Sequence, residues 1–292
     1  MSRLELISAT PEMPNGHFTL ETGHGLISIR DTNLKNSAPA LLLIHGNSFT
    51  SQIFKHILND PVFLSSWRII TFDLPGHGAS SDAPNPKRTY SMRGYADLAV
   101  EILQHLSINQ VVVLGWSLGG HIGIEMIPLL PKGALRGLMI VGSPPALGVE
   151  QTHHGFKSQD AHVSAAAQKD LSEEEIIEFS RCVTGPPFES WMEDAVRRAD
   201  GKARYLMWHA FNHGVGVDQR KVVEEEDGTV VAVVNGADEP FVNLDYLDEI
   251  KWKRLWKGKC FRMEGLLHSP FWEKPEEFNG LLVEFMRDCE KG

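Results

Sequence analysis

The chain alternates short, continuous apolar runs with longer segments that have helical character. The apolar runs are ALLLIHGN (40–47), WRIITFDLPGHGAS (67–80), VVVLGWS (111–117) and LRGLMIVGSPP (135–145). Short runs of this kind, bounded by glycine or proline, are typical of strands that are buried on both faces. Segments 90–106 and 118–130 lie among them and are predicted helices. Alternating strands and helices predict an α/β fold with a mostly parallel sheet covered on both faces.

Further elements are predicted on either side of this pattern. Residues 18–31 indicate two short strands about a glycine turn, and Ser91 is positioned to cap the helix that follows it. Strand character returns at TVVAVVNGADEPFV (229–242), and a last strand is expected near 259–263. A terminal helix is expected over 275–289.

The middle of the chain, 146–228, has no clear buried strand and is helical and charged. A predicted helix over 171–183 begins with a capping box between Ser172 and Glu175. No proline- or serine-rich linker borders this segment. We therefore predict one α/β core formed by 1–145 and 229–292, with 146–228 as a helical cap insertion.

Composition limits the partners. The 292 residues carry a net charge of -10, which argues against nucleic acid or an anionic membrane surface, because both require basic residues. Three widely spaced cysteines do not form a disulfide framework or a zinc motif. No apolar run is long enough to span a bilayer, and the first residues lack a signal-peptide pattern. A cytoplasmic protein with a small-molecule substrate is expected.

Ser117 lies between a predicted strand and a predicted helix, in Gly115-Trp116-Ser117-Leu118-Gly119. This is the G-x-S-x-G motif, in which a sharp strand-to-helix turn projects a serine hydroxyl from the end of a sheet. The alternative is that Ser117 has only a structural role, as the N-cap of the helix that follows. The strand-to-helix context favours a catalytic nucleophile, with the N–H of Leu118 as one oxyanion donor.

A serine nucleophile requires a base and an acid, which in this motif class follow in the order Ser, acid, His. His268 lies after the last predicted strand and is the expected base. The acid is expected after the strand that ends near 235, where Asp238 and Glu239 are adjacent. A frequent spacing places the acid three residues after a glycine and before a proline, which favours Glu239 and leaves Asp238 open.

The second oxyanion donor is expected from the loop after the strand 40–46. His45-Gly46-Asn47-Ser48 forms that loop, and Asn47 is the expected donor. The alternative is that these residues only form a tight turn. The motif DLPGHG (73–78) is read as turn chemistry that ends a strand.

In order and spacing, these motifs resemble those of the α/β-hydrolase superfamily over nearly the whole chain. The chain more narrowly resembles the metal-independent N-acylhomoserine lactonases of the AidH type. The segments that carry this resemblance are LLLIHGNS (41–48), DLPGHGAS (73–80), YSMRGYAD (90–97), GWSLGGHIGIEMI (115–127), RGLMIVGSPP (136–145) and VVNGADEPFV (233–242).

The resemblance implies hydrolysis of the lactone ring of quorum-sensing signals, with no metal or other cofactor, by a monomer or homodimer. A cap folded over the site would supply apolar surface for an acyl chain. Its large apolar residues are Phe156, Phe179, Phe188, Trp191, Met192, Met207, Trp208 and Phe211. Trp116, Phe179 and Trp208 are the expected substrate-binding residues.

Other functions use the same motifs. A general carboxylesterase or a hydrolase of carbon–carbon bonds would have the same three catalytic residues. A receptor for a small lactone could retain them and turn over slowly. A non-catalytic interaction protein on this fold would usually have lost one of them, and none is missing here.

Overall fold

The computed structural model describes residues 16–35, 38–157 and 165–291. Its described strands form one sheet in the order β1-β2-β4-β3-β5-β6-β7-β8. The strands are β1 (His17–Thr22), β2 (Gly25–Asp31), β3 (Ala40–Ile44), β4 (Ile69–Phe72), β5 (Val111–Trp116), β6 (Leu135–Val141), β7 (Val230–Gly236) and β8 (Phe261–Met263). Strand β2 pairs antiparallel with β1 and β4, and all other pairs are parallel.

Helices connect the strands. In the part of the chain that is described, they are α1 (Lys55–Leu58), α2 (Pro61–Ser66), α3 (Pro86–Thr89), α4 (Met92–His105), α5 (Leu118–Met126), α6 (Gly148–Gly155), α7 (Glu173–Thr184), α8 (Trp191–Arg198), α9 (Gly201–Asn212), α10 (Gln219–Glu225), α11 (Leu244–Glu249), α12 (Pro270–Glu273) and α13 (Pro275–Lys291). Short 3-10 turns lie at Ser51–Phe54, Ile127–Leu129 and Trp256–Gly258.

The central strands are buried on both faces of the sheet, as their continuous apolar runs predicted. Every residue of β3 is buried, and alternate residues enter different clusters: Leu42 and Ile44 pack on one face, Leu41 and Leu43 on the other. This period of two follows from the pleat of a strand. The α/β-hydrolase architecture expected from the sequence is confirmed.

Two predicted helix starts are confirmed, and one predicted helix is shorter than expected. Ser91 accepts a hydrogen bond from the N–H of Gly94, and Ser172 and Glu175 form the capping box of α7. Helix α5 ends at Met126 rather than at 130, because a proline interior to a helix removes a donor and clashes with the preceding turn. Strand β7 ends at Gly236, close to the end near 235 that the sequence predicted.

Helices α6–α10 lie between β6 and β7, and this segment is hydrogen-bonded at two points to loops that follow strands of the sheet. The N–H of Lys157 donates to the carbonyl of Phe241 at 2.8 Å, and the N–H of Asp200 donates to the carbonyl of Gly76 at 2.8 Å. The division into a core and a cap insertion at 146 and 228 stays a prediction. Within the described ranges, no helix is both long and apolar enough to cross a bilayer.

Candidate active site

Ser117 lies at a strained turn between β5 and α5. Its backbone has φ 53° and ψ −116°, a region that residues other than glycine rarely occupy. The two motif glycines allow the close approach of neighbouring backbones: a Cβ on Gly115 would lie 2.3 Å from the carbonyl oxygen of Gly119, and a Cβ on Gly119 would lie 2.0 Å from that of Ile44. The turn therefore holds the serine at the end of the sheet, as the motif predicts.

His268 and Glu239 are in direct contact. The Nδ1 atom of His268 lies 2.7 and 2.8 Å from the two carboxylate oxygens of Glu239, and both residues are buried. Because a carboxylate only accepts, Nδ1 donates, and the other ring nitrogen, Nε2, remains for a proton from Ser117. The neighbouring carboxylate, Asp238, is exposed. The structure therefore places Glu239, and not Asp238, against the histidine.

Aromatic side chains and a glycine enclose the His268 ring. Phe241 meets it edge-on at a centroid distance of 4.8 Å, and the Trp116 ring lies 5.8 Å away. The indole N–H of Trp116 donates to the carbonyl of His268 at 3.0 Å. Trp116 is wholly buried and does not line the pocket, so its expected role in substrate binding is corrected. Its contacts instead hold the backbone and the ring of His268 in place.

Gly142, directly after β6, packs closely against the His268 ring. Its φ is 67°, and a Cβ there would lie 2.3 Å from Cε1 of His268. We expect Gly142→Ala to displace the imidazole and to lower kcat/KM for ester substrates by about 10²-fold, the scale on which small misplacements act. Steady-state kinetics with a chromogenic ester measure this.

Gly133→Ala is the matched control. Gly133 also has a positive φ, 82°, but nothing lies within 4 Å of a Cβ placed there. Both variants therefore carry the backbone strain of alanine, on the order of 1 kcal/mol, and only Gly142→Ala carries the clash. Equal activities of the two variants would contradict the proposed contact.

Glu273 was missed by the sequence reasoning. Its carboxylate accepts hydrogen bonds from the N–H of Leu267, at 2.9 and 3.1 Å, and from that of Ser269 at 3.2 Å. These donors flank His268, so Glu273 fixes the loop that carries the base. Burial raises the pKa of the Glu273 carboxyl. No local pattern could have revealed this role, because it depends on how α12 folds back onto the loop.

The two expected oxyanion donors line one pocket with Ser117 and His268. Leu118 is the first residue of α5, so its N–H has no acceptor within the helix. The side chain of Asn47 donates to the carbonyl of Ala166 at 2.8 Å, which anchors this residue. In DLPGHG, the Asp73 carboxylate accepts from the N–H groups of Ser51 and Ala79, as expected of turn chemistry.

The walls of the pocket are formed mainly by apolar side chains. Four of the large apolar residues expected around an acyl chain line it: Phe156, Phe179, Met207 and Trp208. The other four, Phe188, Trp191, Met192 and Phe211, do not, and Met192 and Phe211 are fully packed away from solvent. In the described ranges, the buried indole nitrogen of Trp208 has no hydrogen-bond partner.

A buried polar cluster lies behind one wall of the pocket. His121, which lines the pocket, contacts the amide oxygen of Gln219 through Nδ1 at 2.7 Å. The N–H of Val217 donates to both carboxylate oxygens of Glu125, at 3.1 and 3.3 Å, and Gln219 also hydrogen-bonds this carboxylate. Burial raises the pKa of Glu125 to about 7 and lowers the pKa of His121 to about 4.

The raised pKa of Glu125 predicts a pH-dependent stability. Between its ordinary value of 4.5 and about 7, the unfolded chain releases the proton of Glu125 and the folded chain retains it. The free energy of unfolding therefore falls as pH rises through this window and then levels off. In Glu125→Gln this contribution is absent, so its stability relative to the natural chain should increase by about 3 kcal/mol between pH 4 and 8, at 1.36 kcal/mol per pH unit.

Urea unfolding at several pH values measures the difference between the two chains. Glu174→Gln is the control, because Glu174 is exposed on α7 and has no burial cost to remove. A difference between Glu125→Gln and the natural chain that stays constant from pH 4 to 8 would contradict the prediction. Among the described residues, no three His, Cys, Asp or Glu side chains are grouped so that they could hold a metal ion.

Comparisons with known proteins identify the fold family of this chain. The sequence profile of the α/β hydrolase fold family matches residues 39–275. A structure of the N-acyl homoserine lactonase AidH complexed with N-butanoyl homoserine is 46% identical, with a TM-score of 0.88, and the match covers 94% of this chain and 97% of that one. An esterase from Rhodococcus sp. ECU1013 shares the fold at 21% identity and a TM-score of 0.76, covering 94% of this chain and 99% of that one. A pimeloyl-[acyl-carrier protein] methyl ester esterase of Yersinia pseudotuberculosis serotype O:1b (strain IP 31758) is 26% identical over 86% of this chain and 94% of its own length.

Proposed function

The chain belongs to the α/β-hydrolase fold family, and within that family we propose that it opens the lactone ring of N-acylhomoserine lactones. It is a hydrolase that acts on ester bonds, and a lactone is a cyclic ester. The proposed biological consequence is degradation of quorum-sensing signals, with a cytoplasmic enzyme acting on a small molecule.

One observation carries the choice of substrate. The lactonase complexed with N-butanoyl homoserine is 46% identical to this chain, whereas the methyl ester esterase is 26% identical. The pocket supports the proposal, because Phe156, Phe179 and Met207 give it the apolar walls that an acyl chain requires. The unpartnered indole N–H of Trp208 is a donor suited to an acyl carbonyl oxygen.

The proposed mechanism uses Ser117, His268 and Glu239 as a catalytic triad. His268 takes the proton of Ser117 through Nε2, and the Ser117 oxygen attacks the lactone carbonyl carbon. The backbone N–H groups of Asn47 and Leu118 hold the resulting oxyanion. Collapse of this intermediate breaks the ring C–O bond, and His268 returns the proton to the leaving alkoxide.

The product of ring opening stays attached to Ser117 as an ester, and a water molecule then releases it. His268 removes a proton from that water, and the departing Ser117 oxygen receives a proton from His268. Glu239 retains its charge throughout and holds the imidazole in the tautomer that leaves Nε2 free. These steps release N-acylhomoserine and restore the free enzyme.

The second candidate is a carboxylesterase of linear esters. The methyl ester esterase relative favours it, and the triad geometry would serve both reactions equally. A lactone receptor would contain the same residues and would differ in turnover.

A pH-stat assay distinguishes the lactonase, the carboxylesterase and the lactone receptor. We expect N-hexanoylhomoserine lactone to be opened with a kcat of roughly 1 to 10³ per second, the usual range for enzymes, in the presence of a chelator. Methyl hexanoate is the matched linear ester, and the spontaneous opening of the lactone is subtracted. Fast hydrolysis of methyl hexanoate without lactone turnover would replace the lactonase with the esterase, and a single turnover of either would indicate a receptor.

A further inference from the structure

His121 is a buried histidine that the proposed mechanism does not use. It lies on α5, four residues after Ser117, and lines the same pocket. Residues four apart occupy one face of a helix, so the His121 ring and the Ser117 hydroxyl serve the same space. The His121 ring packs against the rings of Phe156 and Phe211, with centroid distances of 6.0 and 5.2 Å.

The hydrogen bonds of Gln219 determine which nitrogen of this ring carries the proton. The Gln219 amide nitrogen contacts the sulfur of Met92 at 3.4 Å, and the Glu125 carboxylate also takes a hydrogen bond from Gln219. Thioether sulfur only accepts, so the NH₂ group of Gln219 must face Met92, and the Glu125 carboxylate, once ionised, requires the same orientation. The amide oxygen of Gln219 then faces His121, where it lies 2.7 Å from Nδ1.

An amide oxygen cannot donate, so Nδ1 of His121 must carry the hydrogen. In a neutral imidazole the other nitrogen, Nε2, is then an acceptor. Burial lowers the pKa of His121 to about 4, so the ring is neutral at physiological pH. The cluster therefore presents a fixed hydrogen-bond acceptor in a pocket whose other walls are mainly apolar.

We propose that Nε2 of His121 accepts a hydrogen bond from the amide N–H of an N-acylated substrate, which makes His121 a specificity-determining residue. This inference rests on the proposed function, because the amide is the only N–H group of an N-acylhomoserine lactone. It adds a reason for the enzyme to distinguish such lactones from esters and lactones without an amide.

The distance between the amide and the ring carbonyl of the substrate is compatible with this hydrogen bond. In the substrate, the amide nitrogen is two bonds from the ring carbonyl carbon that Ser117 attacks. Along α5, Ser117 and His121 are separated by a rise of about 6 Å. A substrate can span this distance with its ring carbonyl against Ser117 and its amide N–H against His121. One helix face thus holds the nucleophile and the acceptor that orients its target.

The acceptor also discriminates against other groups at the same position. An ester oxygen in place of the N–H would place two lone pairs against each other, and a methylene group would leave Nε2 without a partner. A buried polar group without its partner lowers affinity for such an analogue, and sites built around a hydrogen bond discriminate more strongly than apolar ones.

The experiment compares N-hexanoylhomoserine lactone with its analogue in which a methylene group replaces the amide N–H. At pH 8 the natural chain should prefer the amide by roughly 10- to 100-fold in kcat/KM, the range expected for a buried hydrogen bond. In His121→Phe, this preference should fall close to one. Because both lactones are measured on the same variant, a general loss of activity cancels in the ratio.

A preference that survives in His121→Phe, or a natural chain that lacks it, would overturn this inference while leaving the lactonase assignment in place. If the natural chain opened neither lactone, the proposed function itself would fail. A second measurement does not depend on the variant folding: ¹⁵N NMR of the natural chain should show the His121 tautomer protonated at Nδ1. Protonation at Nε2 would contradict the proposal directly.

Discussion

Ser117→Ala is expected to lower kcat/KM for ester and lactone substrates by about 10⁴-fold or more, with little change in stability. Removing the nucleophile of a serine hydrolase eliminates the acyl-enzyme route, and the remaining members of the triad cannot replace it. Alanine at this position has the same strained backbone as serine, so the turn at φ 53° should persist. Pre-steady-state kinetics with an aryl ester measure the loss together with the burst.

A fluorophosphonate probe supplies an independent readout, since it reacts with an activated serine. Mass spectrometry should find the label on Ser117 in the natural chain and on no residue of Ser117→Ala. Ser65→Ala is the control, because Ser65 is exposed on α2 and its hydroxyl donates to backbone carbonyls of the same helix. Retained turnover or labelling of another serine in Ser117→Ala would refute the assignment.

Glu239→Gln is expected to lower kcat by roughly 10³- to 10⁴-fold, the scale seen when a triad acid becomes an amide. The amide could donate to Nδ1 of His268 and so favour the tautomer in which Nε2 carries the hydrogen and cannot accept one from Ser117. It would also remove the negative charge that stabilises the imidazolium. The geometry of the pair, 2.7 and 2.8 Å, is otherwise retained by an amide of the same shape.

Asp238→Asn is a matched control for this change. Asp238 precedes Glu239, loses the same charge, and is exposed where Glu239 is fully buried. We expect its kcat within about twofold of the natural value, because exposed substitutions away from a site have small effects. A larger loss in Asp238→Asn than in Glu239→Gln would reverse the assignment of the acid.

Most of the fold could be predicted from the sequence, because the information was local. The continuous apolar runs of β3 and β5 predicted double burial, and the serine-capped starts of α4 and α7 followed from three or four adjacent residues. The resemblance to α/β hydrolases and AidH-type lactonases is confirmed by the comparisons. The helices between β6 and β7 were placed only in part, since their ends depend on contacts with the core.

The candidate site was predicted where motifs are contiguous and missed where folding creates the contact. Ser117 and His268 could be predicted from order and spacing. Sequence reasoning favoured Glu239 but left Asp238 open, because the two side chains differ only in the direction that each takes after the turn. Trp116 was misplaced because its neighbour in sequence is the nucleophile, whereas the strand turns its ring to the opposite face. The bond from Glu273 to the His268 loop had no sequence signature.

The strained backbone of Ser117 serves catalysis but lowers the stability of the fold. A side chain in that conformation costs on the order of 1–3 kcal/mol, and glycine would relieve much of it. Ser117→Gly should therefore unfold at a higher temperature than the natural chain, which differential scanning calorimetry would detect; an unchanged or lower Tm would contradict the strain argument. Under selection for thermal stability alone, a population of this enzyme would tend to lose its nucleophile, so any programme of directed evolution on it must select for turnover in every round.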